Sequence, residues 1–339
     1  MNIEKIIYQY FPESTKISFK QSNKGAINST YCIVVEEKGE KKDFILQKMH
    51  KMFDVSIMED IDCITTYLVS KEVKTQRVIR TKNGGLFVKD GNSWWRMLTF
   101  ISGKIFSFIS SPSQAKEAGQ LVGKFHSALI NCNYKFKFKL SHYHDVDFTM
   151  DTLESVLKNS EGTSKYKELK DLANNILVSY KNIPKNIDLP KHIIHNDLKI
   201  TNVLFNEDGK KAIALIDLDT LSYGTIAVEL GDALRNWCMT GGEDTEKVDF
   251  DINIYKAGFE GYVSTAKFLT EKEKESIPFG VQLITLELAA RFVIDAFNEN
   301  YWNLDSSKYK NLFEQNKKRA QNQFDFFKKF SFSLNTGLV

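Results

Sequence analysis

The stretch KHIIHNDLKITNVLFNEDGKKAIALIDLDT, residues 191–220, restricts the fold more than any other part of the chain. It is a β-forming island inside a region whose apolar residues otherwise recur at helical spacing. NVLF and AIALID flank NEDGKK, whose Asp208-Gly209 pair signals a hairpin turn. Folding the ribbon about residues 208–210 brings Asn202 opposite Asp217, or within about two residues of it, at the open end. The loop carrying Asp197 enters at that same end, so three oxygen-bearing side chains converge. An amide oxygen and a carboxylate at one point are hard ligands suited to Mg²⁺, which takes few protein ligands and keeps waters or phosphate oxygens in its other positions.

A second carboxylate beside such an ion needs its own role. From His195 through Asp197 to Asn202 the spacing is H-x-D-x-x-x-x-N, that of the catalytic loop of protein-kinase-like enzymes, and Asp217 stands where such enzymes place a Mg²⁺-binding aspartate. The pattern makes Asp197 the acceptor of a hydrogen bond from the substrate hydroxyl, and Asn202 and Asp217 the metal ligands. Three fixed positions alone are weak support; the hairpin that sets an Asp against the Asn strengthens them. His195 is expected to brace the loop, because a zinc cluster with His192 would need ligands the spacing does not supply.

Upstream, the first hundred residues are strand-rich. KISFKQS, STYCIVVEE, DFILQKM and SWWRMLTFI alternate with turn signals such as EKGEKK, KNGG and KDGN. One helix interrupts them: Ile57, Ile61, Ile64 and Leu68 form a single apolar face. From residue 113 the period becomes helical, with Ser113 a candidate N-cap. Further helical patterns run over 151–183, 226–239, 250–265, 271–299 and 306–329. The expected architecture is α+β and bilobal: an antiparallel sheet with one helix over residues 1–100, and a larger, mainly helical lobe with the catalytic hairpin over 101–339.

A nucleotide site in the first lobe needs backbone donors and a cation. NKGAINSTYCIVV joins two strands through a turn in which Gly25, Asn28, Ser29 and Thr30 could cover phosphates. On the third strand Lys48 is the candidate cation for the α and β phosphates, with Glu59 as its orienting partner; neighbouring Gln47 has the opposite facing. Around Leu98 to Phe100 the chain crosses between lobes and could present backbone groups to an adenine.

Composition excludes several other classes. The 339 residues are 42% hydrophobic and 26% charged, and 46 basic against 43 acidic residues leave a net charge of +3, so no global field argues for nucleic acid or a membrane surface. Cys32, Cys63, Cys132 and Cys238 are scattered, which fits reduced thiols in the cytoplasm better than a disulfide or zinc scaffold. Neither a signal peptide nor an uninterrupted apolar span is expected, and FDFFKKFSF near the C-terminus reads as an amphipathic helix end.

HNDLKITNVLF, IALIDLDT and ELGDALRNW together resemble the aminoglycoside phosphotransferase and choline kinase superfamily. IDLDT, GDALR, FILQKMHKMFDVSIMEDI and LELAARFVIDAFNENYW are similar, within it, to the N-acetylhexosamine 1-kinases, over most of the chain from Gly25 to about Trp302. The resemblance implies a kinase-like fold, ATP and Mg²⁺ as cofactors, and phosphorylation of the anomeric hydroxyl of N-acetylglucosamine or N-acetylgalactosamine. It also implies Asp197 as base, Asn202 and Asp217 as metal ligands, and Arg291 and Tyr301 as contacts to the sugar. Without it, Arg291 reads as a helix-surface or paired arginine, and Asp232 and Arg235 as an i, i+3 pair bracing the hairpin. Two departures touch the acceptor pocket: Ala26 stands where related sugar kinases often carry a histidine, and the segment between Arg291 and Tyr301 is one residue short. The competing expectations are a kinase of another small alcohol, such as an aminoglycoside, choline, homoserine or methylthioribose, and an inactive nucleotide-binding protein.

Overall fold

The computed structural model describes residues 2–22, 28–184 and 188–339. Gly25 and Ala26, expected in the nucleotide loop, lie outside the described residues. Helix α1 (Ile3–Ile7) leads into strands β1 (Lys16–Gln21), β2 (Ser29–Glu37) and β3 (Glu40–Lys48). Helix α2 (Ile57–Ser70) follows, then β4 (Val78–Ile79), β5 (Val88–Asp90) and β6 (Ser93–Thr99). These strands form one antiparallel sheet in the order β1-β2-β3-β6-β4, with β5 beside β6.

The period of two decides what each face does. Ile33, Val35, Leu46, Trp95 and Met97 pack against Ile6 and Ile7 of α1. Ile45 turns the other way, toward the buried Ile57, Ile61, Ile64 and Leu68 of α2. Register pairs Lys48 with Trp95 and Gln47 with Arg96, so Gln47 and Arg96 share the α2 face while Lys48 shares the α1 face.

The second lobe opens with β7 (Lys104–Ile105) and α3 (Pro112–Leu129). Ser111, not Ser113, caps α3 by accepting from the Gln114 N–H, because Pro112 occupies the first helical turn where no N–H is required. The pattern over 151–183 resolves into two helices, α4 (Val146–Asn159) and α5 (Ser164–Asn182), separated by a turn in which Gly162 has φ 84°. Then come the island strands β8 (His192–Ile194), β9 (Val203–Phe205), β10 (Ala212–Leu215) and β11 (Ser222–Gly224), followed by α6 (Ile226–Cys238). A two-strand turn of β12 (Met239–Thr240) and β13 (Asp249–Phe250) precedes α7 (Ile252–Thr265), α8 (Glu271–Asn298) and α9 (Leu312–Asn335).

Two close helix crossings, α6 on α8 and α3 on α7, hold the second lobe together. A Cβ on Gly280 of α8 would stand 1.8 Å from the Ala227 carbonyl oxygen of α6, and one on Gly119 of α3 would stand 2.1 Å from the Gly258 carbonyl oxygen of α7. Only glycine permits these backbones to touch. By length and composition α8 is apolar enough to cross a membrane, but 67% of its most apolar window is buried in the protein, among neighbours that include α4, α6 and α9. In α9 the Phe324, Phe326, Phe327 and Phe330 rings are buried and Phe332 is exposed, so most of the C-terminal aromatic run is core.

Candidate active site

The ribbon β9-β10 pairs Val203 with Leu215, and the Ile216 N–H donates to the Asn202 carbonyl at 3.0 Å. Asp217 is therefore the first residue beyond the ladder, one step from the position opposite Asn202. It leaves the strand at φ 65°, and Asn196 on the facing loop has φ 68°. Asn and Asp tolerate this left-handed conformation better than other side chains, and such outliers persist only where the surroundings over-determine them.

Those surroundings are explicit. The Asp197 N–H donates to His195 Nδ1 at 3.3 Å, and His195 Nε2 donates to the Ile216 carbonyl at 2.9 Å, so one imidazole ties the Asp197 loop to the residue before Asp217. The partners fix the tautomer. Buried Glu229 of α6 accepts from the backbone N–H groups of His195 and Asn196, both at 2.8 Å, and faces His126 Nε2 at 3.2 Å. Trp237 Nε1 donates to the Leu198 carbonyl and the Ile200 N–H to Asn236 Oδ1. Replacing Glu229 with Gln puts an amide N–H₂ against groups that themselves donate. That variant is expected to lose about 2–4 kcal/mol of stability, read as a lower midpoint in thermal or urea unfolding.

The loop sets Asp197 against one amide and one ammonium group. Asn202 Nδ2 donates to the Asp197 carbonyl at 2.8 Å and to Asp197 Oδ2 at 3.0 Å, while Lys199 Nζ lies 2.6 Å from Oδ2. Asn202 thereby turns its amide nitrogen to Asp197, and its Oδ1 accepts no hydrogen bond among the described residues. The partly buried Asp217 carboxylate likewise has no hydrogen-bond or ion-pair partner among them. Burial, and then the charge of Asp219, push Asp217 up to about 6, against the opposing pull of Lys199. An unpaired, desolvated carboxylate beside an unused amide oxygen is a donor set that fits Mg²⁺. Such an ion would supply charge to offset that on transferring phosphate oxygens.

On the sheet side, the expected phosphate cation needs correction. Lys48 points to the α1 face, away from α2, and Glu59 pairs with Lys137 of the second lobe instead of with Lys48. Gln47 occupies the facing position, donating to Thr30 Oγ1 at 3.2 Å and accepting from Arg96 Nε at 2.9 Å. Asn28 donates to Asp219 at 2.8 Å, and Ser29, paired with Lys48, is exposed. Leu98 is buried between Ile45 and Val78, and strand pairing ends at Thr99, so Phe100, 42% exposed, is the first residue free of the sheet.

A cavity of about 300 Å³ is lined by Tyr143, Phe148, Arg291, Asp295, Tyr301 and Trp302, among others. The Arg291 guanidinium lies 5.0 Å from the Tyr301 ring, 5.5 Å from Trp302 and 5.8 Å from Tyr143, with no carboxylate in salt-bridge range among the described residues. Asp295 sets this geometry by accepting from the N–H groups of Asn300, Tyr301 and Trp302 and from Asn316 Nδ2. Burial, and then the charges of Asp197 and Asp232, raise the Tyr143 phenol well above its ordinary range. Asp232 and Arg235 do pair, at 2.9 Å, but buried, not exposed.

Sequence reasoning passed over Lys199, Glu229, Arg96, Asp219 and Asp295. Two of them had a signal, a charged residue interrupting an otherwise apolar stretch: Arg96 in the strand WWRML and Asp295 in the helix segment FVIDAF.

A sheet-and-helix lobe set over a helical lobe, with an aspartate-asparagine loop and a ribbon aspartate side by side, defines a protein-kinase-like phosphotransferase. The model of the phosphotransferase enzyme family matches residues 18–262, and the chain belongs to that family. It is 24% identical over 272 residues, 78% of this chain and 77% of the relative, to homoserine kinase of Zymomonas mobilis. Among solved structures it is similar in fold to a microcompartment-associated aminopropanol kinase (TM-score 0.66, 15% identity, 99% of each chain). It is also similar to an amicoumacin kinase in complex with AMP-PNP, Ca²⁺ and its ligand (TM-score 0.60, 13% identity, 93% and 90% covered).

Proposed function

We propose that this phosphotransferase moves the γ-phosphoryl group of ATP, with Mg²⁺, to the anomeric hydroxyl of an N-acetylhexosamine. In this reading Asp197 accepts the hydrogen bond of the attacking hydroxyl, and Asn202 and Asp217 hold the ion. Lys199, 2.6 Å from Asp197 Oδ2, holds that carboxylate in place, and Arg291 and Tyr301 orient the acceptor. The AMP-PNP and Ca²⁺ bound by the amicoumacin kinase support a nucleotide with a divalent cation.

The observation that carries the acceptor class is the charge of the cavity. Its cation, Arg291, faces aromatic rings, and its carboxylate, Asp295, is already used by four donors. A cationic acceptor such as choline would meet repulsion there and no free anion. A neutral acetamido sugar fits, its ring stacking on an aromatic side chain and its hydroxyls meeting Arg291. A second reading rests on the same arginine: a small alcohol bearing a carboxylate, like the homoserine of the Zymomonas relative, would pair with it bidentately.

The test is ATP consumption with a panel of N-acetylglucosamine, N-acetylgalactosamine, glucose, homoserine, choline and an aminoglycoside, followed by ³¹P and ¹H NMR of the product. A sugar 1-phosphate is expected. Turnover of homoserine alone would establish the second reading, and turnover of choline or the aminoglycoside alone would overturn both.

A further inference from the structure

With Gln47 where a cation was expected, the sheet-side cation that pairs with Asp219, two residues beyond Asp217, is Arg96, and it is 1% exposed. Its Nη2 donates to Asp219 Oδ2 at 2.8 Å, its Nη1 donates to Asp219 Oδ1, and Nη1 lies 3.9 Å from the Met58 sulfur of α2. Its Nε donates to Gln47. Asp219 also accepts from Asn28, whose Oδ1 accepts from the His50 N–H at 2.9 Å. One network, buried at Arg96 and Asp219 and open to solvent at His50, thus joins the residue ending the nucleotide-loop segment, β3, β6 and α2 to a point two residues beyond Asp217.

We propose that Arg96 and Asp219 are the positioning pair of the nucleotide site: a cross-lobe strut that sets Asp217 in register with the phosphate-covering segment at Asn28. The inference rests on the kinase reading above for what the site binds. Arg96 is too enclosed to touch phosphate, so it acts through Asp219. Its planar fork fits a carboxylate in one orientation, and two such bonds in a dry setting fix distance and angle between the lobes. Asp217 is then held from both sides, by the ribbon before it and by the anchored Asp219 after it.

Three variants separate positioning from simple stability. Arg96→Met strands Asp219 in the interior and is expected to unfold early. The double variant Arg96→Met/Asp219→Leu replaces the pair with apolar groups, an exchange that commonly restores stability. It is expected to melt near the wild type yet bind AMP-PNP about tenfold or more weakly by calorimetry, with the KM for ATP raised and that for the acceptor unchanged. Amide hydrogen exchange of residues 217–220 in the ligand-free protein is expected to quicken in the double variant. Arg96→Lys keeps charge and loses the fork, and is expected to fold and show the same rise in ATP KM. Wild-type nucleotide affinity and wild-type exchange in either of these variants would overturn the proposal. Failure of the wild type to bind nucleotide would instead sink the kinase reading, and the exchange measurement would still decide the strut.

Discussion

Asp197→Asn is expected to lower kcat by about 10²–10⁴-fold while leaving the fold and nucleotide affinity in place. The size follows from what the carboxylate does in the proposed reaction. The attacking hydroxyl must shed its proton as the bond to phosphorus forms, and the acceptor must stand within hydrogen-bond reach. Asn202 and Lys199 aim Asp197 at one spot, each through its Oδ2 oxygen, and leave the other oxygen for the substrate. An asparagine can keep the contact from Asn202 through its own carbonyl oxygen, so the loop geometry survives. What vanishes is the negative charge, and with it the attraction for the proton and the ion pair to Lys199, whose ammonium is held above its usual range against burial mainly by Asp197. Steady-state rates, calorimetry with AMP-PNP and a thermal melt separate the three effects. Wild-type turnover in the variant would remove Asp197 from the role of base.

The geometry that brings these second-lobe side chains together is legible in the sequence because it is local. His195, Asp197, Asn202 and Asp217 lie on or beside the open end of one ribbon whose turn is marked by Asp208-Gly209, and pairing rules alone carry Asn202 to the neighbourhood of Asp217. The nucleotide side was harder. Whether Lys48 or Gln47 faces the cleft depends on register across β3 and β6, a contact between residues some fifty positions apart. A one-residue slip in the assumed facing exchanges a cation for an amide. The strut shows the same limit: Arg96 and Asp219 are 123 residues apart, and no periodicity links them. Glu229 is hidden for another reason, since a glutamate in a helix reads as a surface residue until the loop it caps is folded against it.

Exchange of Asp217 for Asn is expected to abolish the Mg²⁺ dependence of nucleotide binding and, in EDTA, to make the protein more stable at neutral pH. Asparagine tolerates the left-handed backbone at this position, so the geometry at φ 65° is preserved. The charge is not. Burial, with Asp219 next in weight, lifts Asp217 from the ordinary carboxylate range to about 6, so the folded state binds that proton more tightly than the unfolded chain does. Metal-free wild type therefore loses stability as pH rises through about 4 to 6, and the full cost, on the order of 1–3 kcal/mol, persists above that window. The Asn variant lacks this slope, so its melting midpoint is expected to match the wild type near pH 4 and to exceed it at pH 7.5. In the proposed reading a divalent cation would offset the same charge in the wild type, whereas the variant would have little with which to hold one. Calorimetric titration of AMP-PNP in Mg²⁺ and in EDTA, alongside melts across pH, reads both halves. A variant that still binds nucleotide more tightly with Mg²⁺ than without, by the wild-type factor, would take Asp217 out of the metal site.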